Sequence, residues 1–412
     1  KGGKISKYDK DSIDRKPAPG MILKGIKAYD LEPTKCFLIG DKDSDMEAAE
    51  RAGMPGFLFK GGRLDTFVLH CLTLLKDRIF MYKNILIIKM SSLGDVIHTL
   101  PSLFVLRKTY PNAKITWAVH SAFAEVLPGK PWIDEVYIID RNKIKNLSYL
   151  NQVRKELHAH HFDLVIDFQM IAKSAIISFL SGGKKHIGYW DAREGSWLVN
   201  QPIKGLHKTG HIIEQLLDVT RYLGCKVTSI EFPFADITKA TKSATRKLQQ
   251  AGLQGNYIVL VPGTRGESKK WPIDCWGELT NRLSNKGIYT VLLGTQEEIY
   301  LQEKILSITN SSFVLPLMGQ TSLLELVAIE KMAKVHVSSD TGPLHIANAM
   351  KTSMVALFGP TLPKRSGPYG NLLYTVILAD HAGEQNSDMN TISVDQVYEA
   401  VIKKYKEQIA YI

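Results

Sequence analysis

Residues 85–101 read ILIIKMSSLGDVIHTLP, which combines an apolar strand pattern, a turn and the start of a helix. An apolar run typical of a buried strand ends in a Ser-Ser-Leu-Gly turn, and Asp95 stands where the next helix should begin. A second strand–loop–helix stretch of the same kind, VHVSSDTGPLHIANAM, occupies residues 335–350. In open α/β sheets, ligands bind at the carboxyl ends of strands. The two stretches therefore predict two lobes with a site in the cleft between them.

Strand and helix patterns alternate on both sides of this stretch. From Met81 to about residue 245 the predicted strands are NILIIKM, ITWAVH, VYIID, DLVIDF and HIGYW, and from residue 256 they are YIVLVPG, YTVLLG, VHVSSD and MVALFG. Alternating strands and helices imply parallel sheets covered by helices. We therefore predict an α/β protein with two facing Rossmann-like domains, at residues 81–248 and 249–390, and a C-terminal helix within 391–412. Residues 1–78 form a shorter α/β segment.

Composition and charge limit the class of protein. The chain has 412 residues, 44% of them hydrophobic, and no apolar run approaches the ~20 residues that span a bilayer. The four cysteines form no CxxC pair, and no signal peptide precedes the first strand, so we expect a reduced, cytoplasmic protein. The net charge is +3 for residues 1–80, +9 for 81–250 and −1 for 251–412. Either the basic lobe binds an anionic partner or it is only a solvated basic face.

Asp95 has two possible roles. Aspartate is a favoured residue at the start of a helix, and a carboxylate at a cleft mouth can also act as a general base on an incoming hydroxyl group. Ser91 and Ser92 precede it, and their hydroxyls with the loop amides suit an anionic acceptor. Gly94 permits close approach of the backbone.

The second half offers a candidate diphosphate site. Asp340, Thr341 and Gly342 precede a proline at the probable first position of a helix, where exposed amides bind anions. The loop PGTRGESKKWP follows a strand and supplies hydroxyl and cationic groups, at Thr264, Arg265, Lys269 and Lys270. Glu298 follows another strand and could accept hydrogen bonds from ribose. The alternatives are a solvated basic loop and a glutamate that only complements the helix dipole.

Several motifs together resemble one family. SSLGDVIHTLP, DFQMIAKSA, DAREG, the lysine before WP, a GxxxE pattern and SDTGPLH resemble the ADP-heptose:lipopolysaccharide heptosyltransferases, nearest their heptosyltransferase I branch, over nearly all of residues 81–412. The resemblance implies the GT-B fold and an inverting transfer without a metal or other cofactor. It also implies Asp95 as general base and Lys269 as the cation that neutralises the diphosphate.

The resemblance also assigns binding residues. The donor residues would be Thr264, Lys269, Glu298, Asp340, Thr341 and Gly342, and the acceptor residues Ser91, Ser92, Gly94, Lys173 and Arg193. Two departures concern the donor loop: Gly263 and Thr264 replace a hydroxyl pair of the family, and the loop before Lys269 is one residue longer. Lys270 is therefore an alternative cation.

The implied partners are ADP-L-glycero-D-manno-heptose and the Kdo-lipid A inner core. The basic lobe would then face the anionic cytoplasmic surface of the inner membrane. Nucleic acid is not expected, because no arginine-rich tract with interleaved aromatic residues occurs. The alternatives are a transferase with a later core acceptor or another nucleotide sugar, a magnesium-dependent heptose-bisphosphate phosphatase, and a non-catalytic nucleotide-binding protein.

The first segment has its own resemblance. RKPAPGM and IGDKDSDMEAA look like the C-terminal half of haloacid-dehalogenase-type phosphatases, particularly heptose-bisphosphate phosphatase. There Lys16 would hold phosphate, and Asp41 and Asp45 would be vestigial magnesium ligands. Such enzymes need a nucleophilic aspartate after an apolar strand, but only polar sequence precedes Asp9 and Asp11. We therefore expect a truncated phosphatase half without activity.

Overall fold

The computed structural model describes residues 13–31, 33, 36–79, 82–309, 311–384 and 386–410. Its internal contacts divide the chain into two compact units, residues 1–80 and residues 81–412. Asp9, Asp11 and Met81 lie outside the described residues.

The first unit is a small α/β segment. Its elements are α1 (Gly20–Ala28), β1 (Leu38–Gly40), α2 (Asp43–Arg51), β2 (Gly56–Leu58) and α3 (Leu64–Ile79). The two strands pair in parallel, with Ile39 opposite Phe57. Ala49, Ala52 and Met54 form its buried core. This is the partial haloacid-dehalogenase-like arrangement that the sequence predicted.

The first lobe of the second unit is a parallel sheet covered by helices. Its strands are β3 (Asn84–Ile88), β4 (Lys114–His120), β5 (Glu135–Ile139), β6 (Leu164–Asp167), β7 (Lys185–Tyr189) and β8 (Gln201–Ile203), in the order β5-β4-β3-β6-β7-β8. Its helices are α4 (Leu93–Thr109), α5 (Ser121–Ala124), α6 (Leu147–His158), α7 (Ala172–Leu180) and α8 (Ile212–Tyr222). In this order the ligand site is expected beside β3 and β6, where the winding reverses.

The second lobe repeats the same strand order. Its strands are β9 (Tyr257–Val261), β10 (Tyr289–Leu292), β11 (Val314–Pro316), β12 (Val335–Ser339), β13 (Met354–Phe358) and β14 (Tyr374–Leu378), in the order β11-β10-β9-β12-β13-β14. Its helices are α9 (Thr238–Gln250), α10 (Ile273–Ser284), α11 (Ile299–Ile308), α12 (Leu323–Met332), α13 (Gly342–Ala349), α14 (Pro363–Ser366) and α15 (Val394–Ile409). The prediction of two Rossmann-like domains is confirmed.

One predicted domain boundary differs from the observed packing. Helix α9 packs on α12, and Ala244 and Leu248 lie in a core cluster of the second lobe. The boundary predicted between 248 and 249 therefore falls inside a helix of that lobe. The C-terminal helix predicted within 391–412 is present as α15, which packs on α10 and buries Val397 and Val401 in the core of the second lobe.

Helix α4 joins the two lobes. It packs on α8 of the first lobe and on α13 of the second. Ile97 and Leu100 of α4 share one buried cluster with Ile346 and Ala349 of α13. Burying this apolar surface removes it from water, which stabilises the contact. The beginning of α4 is thereby held against the beginning of α13.

Deletion of residues 1–78 should leave the second unit folded, because every described residue in its hydrophobic clusters lies beyond residue 81. A domain with its own core can fold alone. We expect circular dichroism to show a cooperative thermal transition within ~3 °C of the corresponding transition in the full chain. A fragment that unfolds without cooperativity would show that the first unit is needed for folding of the second.

Candidate active site

A cleft of about 780 Å³ lies between the two lobes. Its walls include the loops that follow β3 in the first lobe and β9, β10 and β12 in the second. The predicted site residues that line it are Ser92, Gly94, Asp95, Thr264, Arg265, Lys269, Glu298, Asp340, Thr341 and Gly342. Residues separated by almost 250 positions in the chain therefore meet in one cavity.

Two helices begin at this cleft, one from each lobe. Gly94 lies in the first turn of α4, and a Cβ atom there would stand 2.4 Å from Cδ2 of His345 in α13. Only glycine therefore allows the two helix starts to approach this closely. Unpaired N–H groups and the helix dipoles make such ends favourable for anions. The place where the starts of α4 and α13 meet, which we call the junction, is accordingly suited to a negatively charged ligand.

Asp95 lies in the first turn of α4. Its Oδ2 accepts hydrogen bonds from the backbone N–H of Ser92 at 3.0 Å and from Ser92 Oγ at 2.9 Å. Burial raises the pKa of Asp95, but the nearby Lys89 ammonium and the Ser92 hydrogen bonds outweigh it and hold the pKa below its usual value. The side chain both caps the helix and presents an ionised carboxylate to the cleft.

Lys89 is a functional candidate that the sequence reasoning missed. It directly follows β3, is buried, and its Nζ donates to the carbonyl oxygen of Phe168 at 2.9 Å. Burial lowers its pKa, while Asp95 and Asp167 favour its charged form. The sequence feature that could have indicated Lys89 is a charged residue placed directly after the apolar run ILII. Its charge stabilises the ionised form of Asp95.

Lys269 and Asp340 form an ion pair in the cleft wall. Lys269 Nζ lies 2.6 Å from Oδ2 of Asp340, which also accepts a hydrogen bond from Thr361 Oγ1 at 2.9 Å. Thr264 Oγ1 donates to the backbone carbonyl of Asp340 at 3.3 Å. These contacts connect the loop after β9 with the turn after β12, so a cation and hydroxyl groups surround the start of α13.

The alternative cation, Lys270, has a different environment. Its Nζ pairs with Oε1 of Glu267 at 2.5 Å. That contact raises the pKa of Lys270. The residue is not among those that line the cleft, whereas Lys269 is. The geometry thus favours Lys269 as the cation that a ligand would meet.

The carboxylate of Glu298 lies next to Gly263, which follows the neighbouring strand β9. Its Oε2 accepts from the backbone N–H of Thr295 at 2.8 Å and from Thr295 Oγ1 at 2.9 Å. A Cβ atom on Gly263 would stand 2.1 Å from Glu298 Oε1. The missing side chain at Gly263 therefore leaves space for this carboxylate. The bonds to Thr295 use Oε2, and among the described residues no hydrogen bond to Oε1 is seen, so Oε1 is available to a ligand.

Two buried histidines lie beneath the junction, and the sequence reasoning assigned them no role. His98 Nε2 and His345 Nδ1 are 3.2 Å apart, and His345 Nε2 lies 3.7 Å from Oδ1 of Asp340. Burial lowers the pKa of both rings, which favours neutral imidazoles sharing one N–H. A chain of polar contacts thus connects α4 of the first lobe, through α13, to Asp340 and Lys269.

The other predicted acceptor residues lie outside the lining of this cleft. Ser91 directly precedes the lining residue Ser92, and the backbone N–H of Ser91 donates to Gln169 Oε1 at 3.2 Å. Lys173 is exposed in the first turn of α7, and Arg193 is exposed in the loop after β7. Because β3, β6 and β7 are neighbours in a parallel sheet, these residues follow strand ends at the same edge as Asp95.

The first unit contains its own charged contact. Lys16 pairs with Asp45 Oδ1, while Asp45 Oδ2 accepts from the backbone N–H groups of Asp41 at 3.2 Å and Lys42 at 3.1 Å. The Lys16 contact holds the pKa of Asp45 below its usual value. Among the described residues no group of three or more His, Cys, Asp or Glu side chains could hold a metal ion. Nor do the described residues of the whole chain include a helix that is long and apolar enough to cross a bilayer.

Comparison with known proteins agrees with this architecture. Residues 150–394 match the model of glycosyltransferase family 9 (heptosyltransferase), and residues 13–69 match that of HAD-hydrolase-like proteins. Lipopolysaccharide heptosyltransferase 1 of Salmonella typhimurium is 29% identical over 300 residues, covering 70% of this chain and 92% of the relative. Lipopolysaccharide heptosyltransferase 3 of Escherichia coli is 29% identical over 286 residues, covering 65% of this chain and 80% of the relative.

Solved structures share the two-lobed fold. An Escherichia coli heptosyltransferase solved with ADP superposes with a TM-score of 0.64 at 26% identity, covering 78% of this chain and 99% of that one. A family 9 glycosyltransferase from Veillonella parvula superposes with a TM-score of 0.70 at 22% identity, covering 79% and 98%. These findings confirm both resemblances. The model of glycosyltransferase family 9 matches more than half of the residues of this chain. The chain therefore belongs to glycosyltransferase family 9, the heptosyltransferases, and it also carries a HAD-hydrolase-like segment.

Proposed function

We propose that this enzyme transfers heptose from ADP-L-glycero-D-manno-heptose to the Kdo-lipid A inner core, with inversion at the anomeric carbon. The observation that supports this most is that Asp95 and the Lys269–Asp340 pair line the same cleft from opposite lobes. One lobe thus offers a base and the other a cation, as a displacement reaction needs. Relatives named lipopolysaccharide heptosyltransferase 1 at 27–29% identity support this donor and acceptor.

The donor is proposed to occupy the second lobe. Glu298 would accept hydrogen bonds from the ribose hydroxyls, and the diphosphate would lie at the start of α13, near Thr341, Gly342 and Lys269. Positive partial charge at a helix start and an ammonium group both favour a diphosphate. Escherichia coli heptosyltransferase structures with ADP and with ADP-2-deoxy-2-fluoro heptose support an ADP-linked sugar as the donor for this chain.

The proposed reaction is a direct displacement. The acceptor hydroxyl oxygen attacks the anomeric carbon, and the bond from that carbon to the diphosphate oxygen breaks, so ADP leaves with the bonding electrons. The hydroxyl proton passes to the Asp95 carboxylate. Lys269 stabilises the charge that grows on the leaving diphosphate, an interaction stronger in the transition state than in the ground state. Attack opposite to the departing ADP inverts the configuration.

The acceptor is proposed to approach over the first lobe. Ser91, Ser92 and Gly94 lie beside Asp95, while Lys173 and Arg193 follow strand ends at the same edge of the sheet. Cationic side chains there suit the carboxylate and phosphate groups of Kdo-lipid A. Since that acceptor is anchored in lipid, we propose that the enzyme works peripherally at the cytoplasmic face of the inner membrane.

A transfer assay tests the proposal against its alternatives. Purified enzyme would be incubated with ADP-heptose and deacylated Kdo-lipid A, and the product's linkage would be determined by NMR. We expect ADP release together with a heptoside of inverted configuration. Parallel reactions would use a later core acceptor, another nucleotide sugar, and heptose bisphosphate with magnesium. Preference for either of the first two would change the assigned substrates, and phosphate release from the third would favour the phosphatase.

Asp95→Asn should lower kcat by ~10²-fold or more while leaving ADP affinity within a few-fold, because the amide cannot accept the hydroxyl proton. Steady-state transfer and calorimetric ADP binding measure the two effects. Asp236→Asn is a matched control, since Asp236 Oδ1 accepts from the N–H and hydroxyl of Thr238 much as Asp95 Oδ2 accepts from Ser92. Turnover close to wild type for Asp95→Asn would reduce this residue to a helix cap.

Lys269→Ala should lower kcat more than it weakens ADP-heptose binding, because the ammonium acts on charge that develops during bond cleavage. Lys270→Ala serves as the control, since Lys270 is occupied by Glu267. We expect a loss of ~10²-fold or more for the first variant and less than ~3-fold for the second. If Lys270→Ala lowered kcat more than Lys269→Ala did, Lys270 would be the cation that stabilises the leaving group.

Gly263→Ala should weaken ADP binding by ~10-fold, because its Cβ would displace Glu298 and cost a charge-assisted hydrogen bond to ribose. Gly266→Ala is a suitable control in the same loop, since its nearest new contact would be an ordinary 3.5 Å to Lys269 Cγ. Calorimetry with ADP compares the two variants. Equal affinities would argue against Glu298 as the ribose acceptor.

A further inference from the structure

The first lobe exposes a group of apolar side chains that no part of the cleft uses. Phe179 is 69% exposed at the end of α7, and Trp197 and Leu198 are 54% and 83% exposed in the short helical turn after β7. Leu206, in the loop after β8, is 96% exposed. Single exposed apolar residues are ordinary, but a group of them marks an interaction surface. We call these four residues the apolar rim.

The members of the apolar rim belong to neighbouring elements. The turn at Ser196–Leu198 contacts both α7 and β8. Ser178 Oγ of α7 donates to Asn200 Oδ1 at 2.6 Å, which attaches the segment after that turn to the buried side of the helix. The exposed side of α7 therefore continues into the turn and towards the edge of the sheet.

Cations accompany the apolar rim. Residues 170–210 contain six Lys or Arg and two Asp or Glu. Exposed lysines, Lys204 and Lys208, stand on both sides of Leu206, and Lys208 Nζ lies 4.8 Å from the centre of the Trp190 ring. Of the two acids, Glu194 accepts a hydrogen bond from the backbone N–H of Ala172. The segment that carries the apolar rim thus has a net positive charge, and two of its exposed lysines flank Leu206 in the chain.

The apolar rim also adjoins the proposed acceptor side. Lys173 and Phe179 both lie on the exposed side of α7, and Arg193 is four residues before Trp197. A lipid-anchored acceptor can reach Asp95 only if this side of the first lobe is close to the lipid surface. The apolar rim shares α7 and the segment after β7 with Lys173 and Arg193, so it lies on the same side of the first lobe as these residues.

We propose that the apolar rim and its lysines dock the first lobe on an anionic lipid bilayer. Tryptophan, phenylalanine and leucine insert at the boundary between headgroups and acyl chains, and nearby lysines are attracted by anionic headgroups. The charge around the rim favours this occupant over a second copy of the chain, whose corresponding surface would be equally positive. The inference rests on the proposed function, because a lipid-linked acceptor is what gives the docking its purpose.

Vesicle flotation tests the docking without requiring catalysis. The full chain would be mixed with vesicles of phosphatidylcholine alone and of phosphatidylcholine with phosphatidylglycerol, and the bound fraction measured. The variants are Trp197→Ser with Leu198→Ser, and Lys204→Gln with Lys208→Gln. Leu372→Ser is the control, because Leu372 is a leucine of the second lobe that is even more exposed than Leu198, at 93% against 83%.

We expect wild type and Leu372→Ser to bind the anionic vesicles and to bind neutral vesicles much less. Each double variant should lower the partition coefficient for anionic vesicles by ~10-fold. Transfer to deacylated acceptor should be unchanged in the Trp197/Leu198 variant, whereas transfer to acceptor embedded in vesicles should fall.

Three results would overturn the docking proposal: wild type that binds no vesicles, double variants that bind like wild type, or a self-association in sedimentation velocity that the Trp197/Leu198 variant abolishes without losing vesicle binding. Failure of the wild type to transfer heptose to deacylated acceptor would count against the proposed function instead. Because flotation is measured separately, the two failures are distinguishable.

Discussion

The close contact between Gly94 and His345 is the constraint on which the site depends. It lets the first turns of α4 and α13 meet at the junction of two lobes, where each sheet would otherwise end in a separate crevice. The apolar cluster shared by Ile97, Leu100 and Ile346 holds the helices in this position. A carboxylate from one lobe and a cation from the other are thereby presented to the same cavity.

Electrostatics within the cleft follow from this contact. Asp95 is balanced by Lys89 in the first lobe, and Asp340 by Lys269 in the second. An entering diphosphate would therefore compete with Asp340 for the Lys269 ammonium, and the buried His345 ring next to Asp340 lies between that pair and α4. Donor binding at the site proposed in the second lobe would in this way be connected, through His345, to the helix that holds the proposed base.

The sequence predicted the features that depend on local pattern. The inner strands were recognised because helices cover both faces and their residues are apolar throughout, as in β9, whose five residues are all buried. The edge strands β8, β11 and β14 were missed, and for β8 and β11 the reason is that three residues give no period. The boundary inside α9 was misplaced, because only tertiary packing assigns an amphipathic helix to one lobe or the other. At the site, the sequence indicated Asp95 and Lys269, but the partners His98 and His345, far apart in the chain, emerge only from the packing of α4 on α13.

The kinetics of Gly94→Ala test whether the contact between α4 and α13 positions the reacting groups. The added Cβ would push the buried His345 ring and separate the two helix starts, whereas Gly129→Ala, with no atom within 4 Å of its new Cβ, is a neutral control. For Gly94→Ala we expect kcat for heptose transfer to fall by ~10²-fold or more and ADP binding to change by less than ~5-fold, because misplacing a reacting group costs rate rather than donor affinity. Turnover equal to that of the Gly129→Ala control would contradict it.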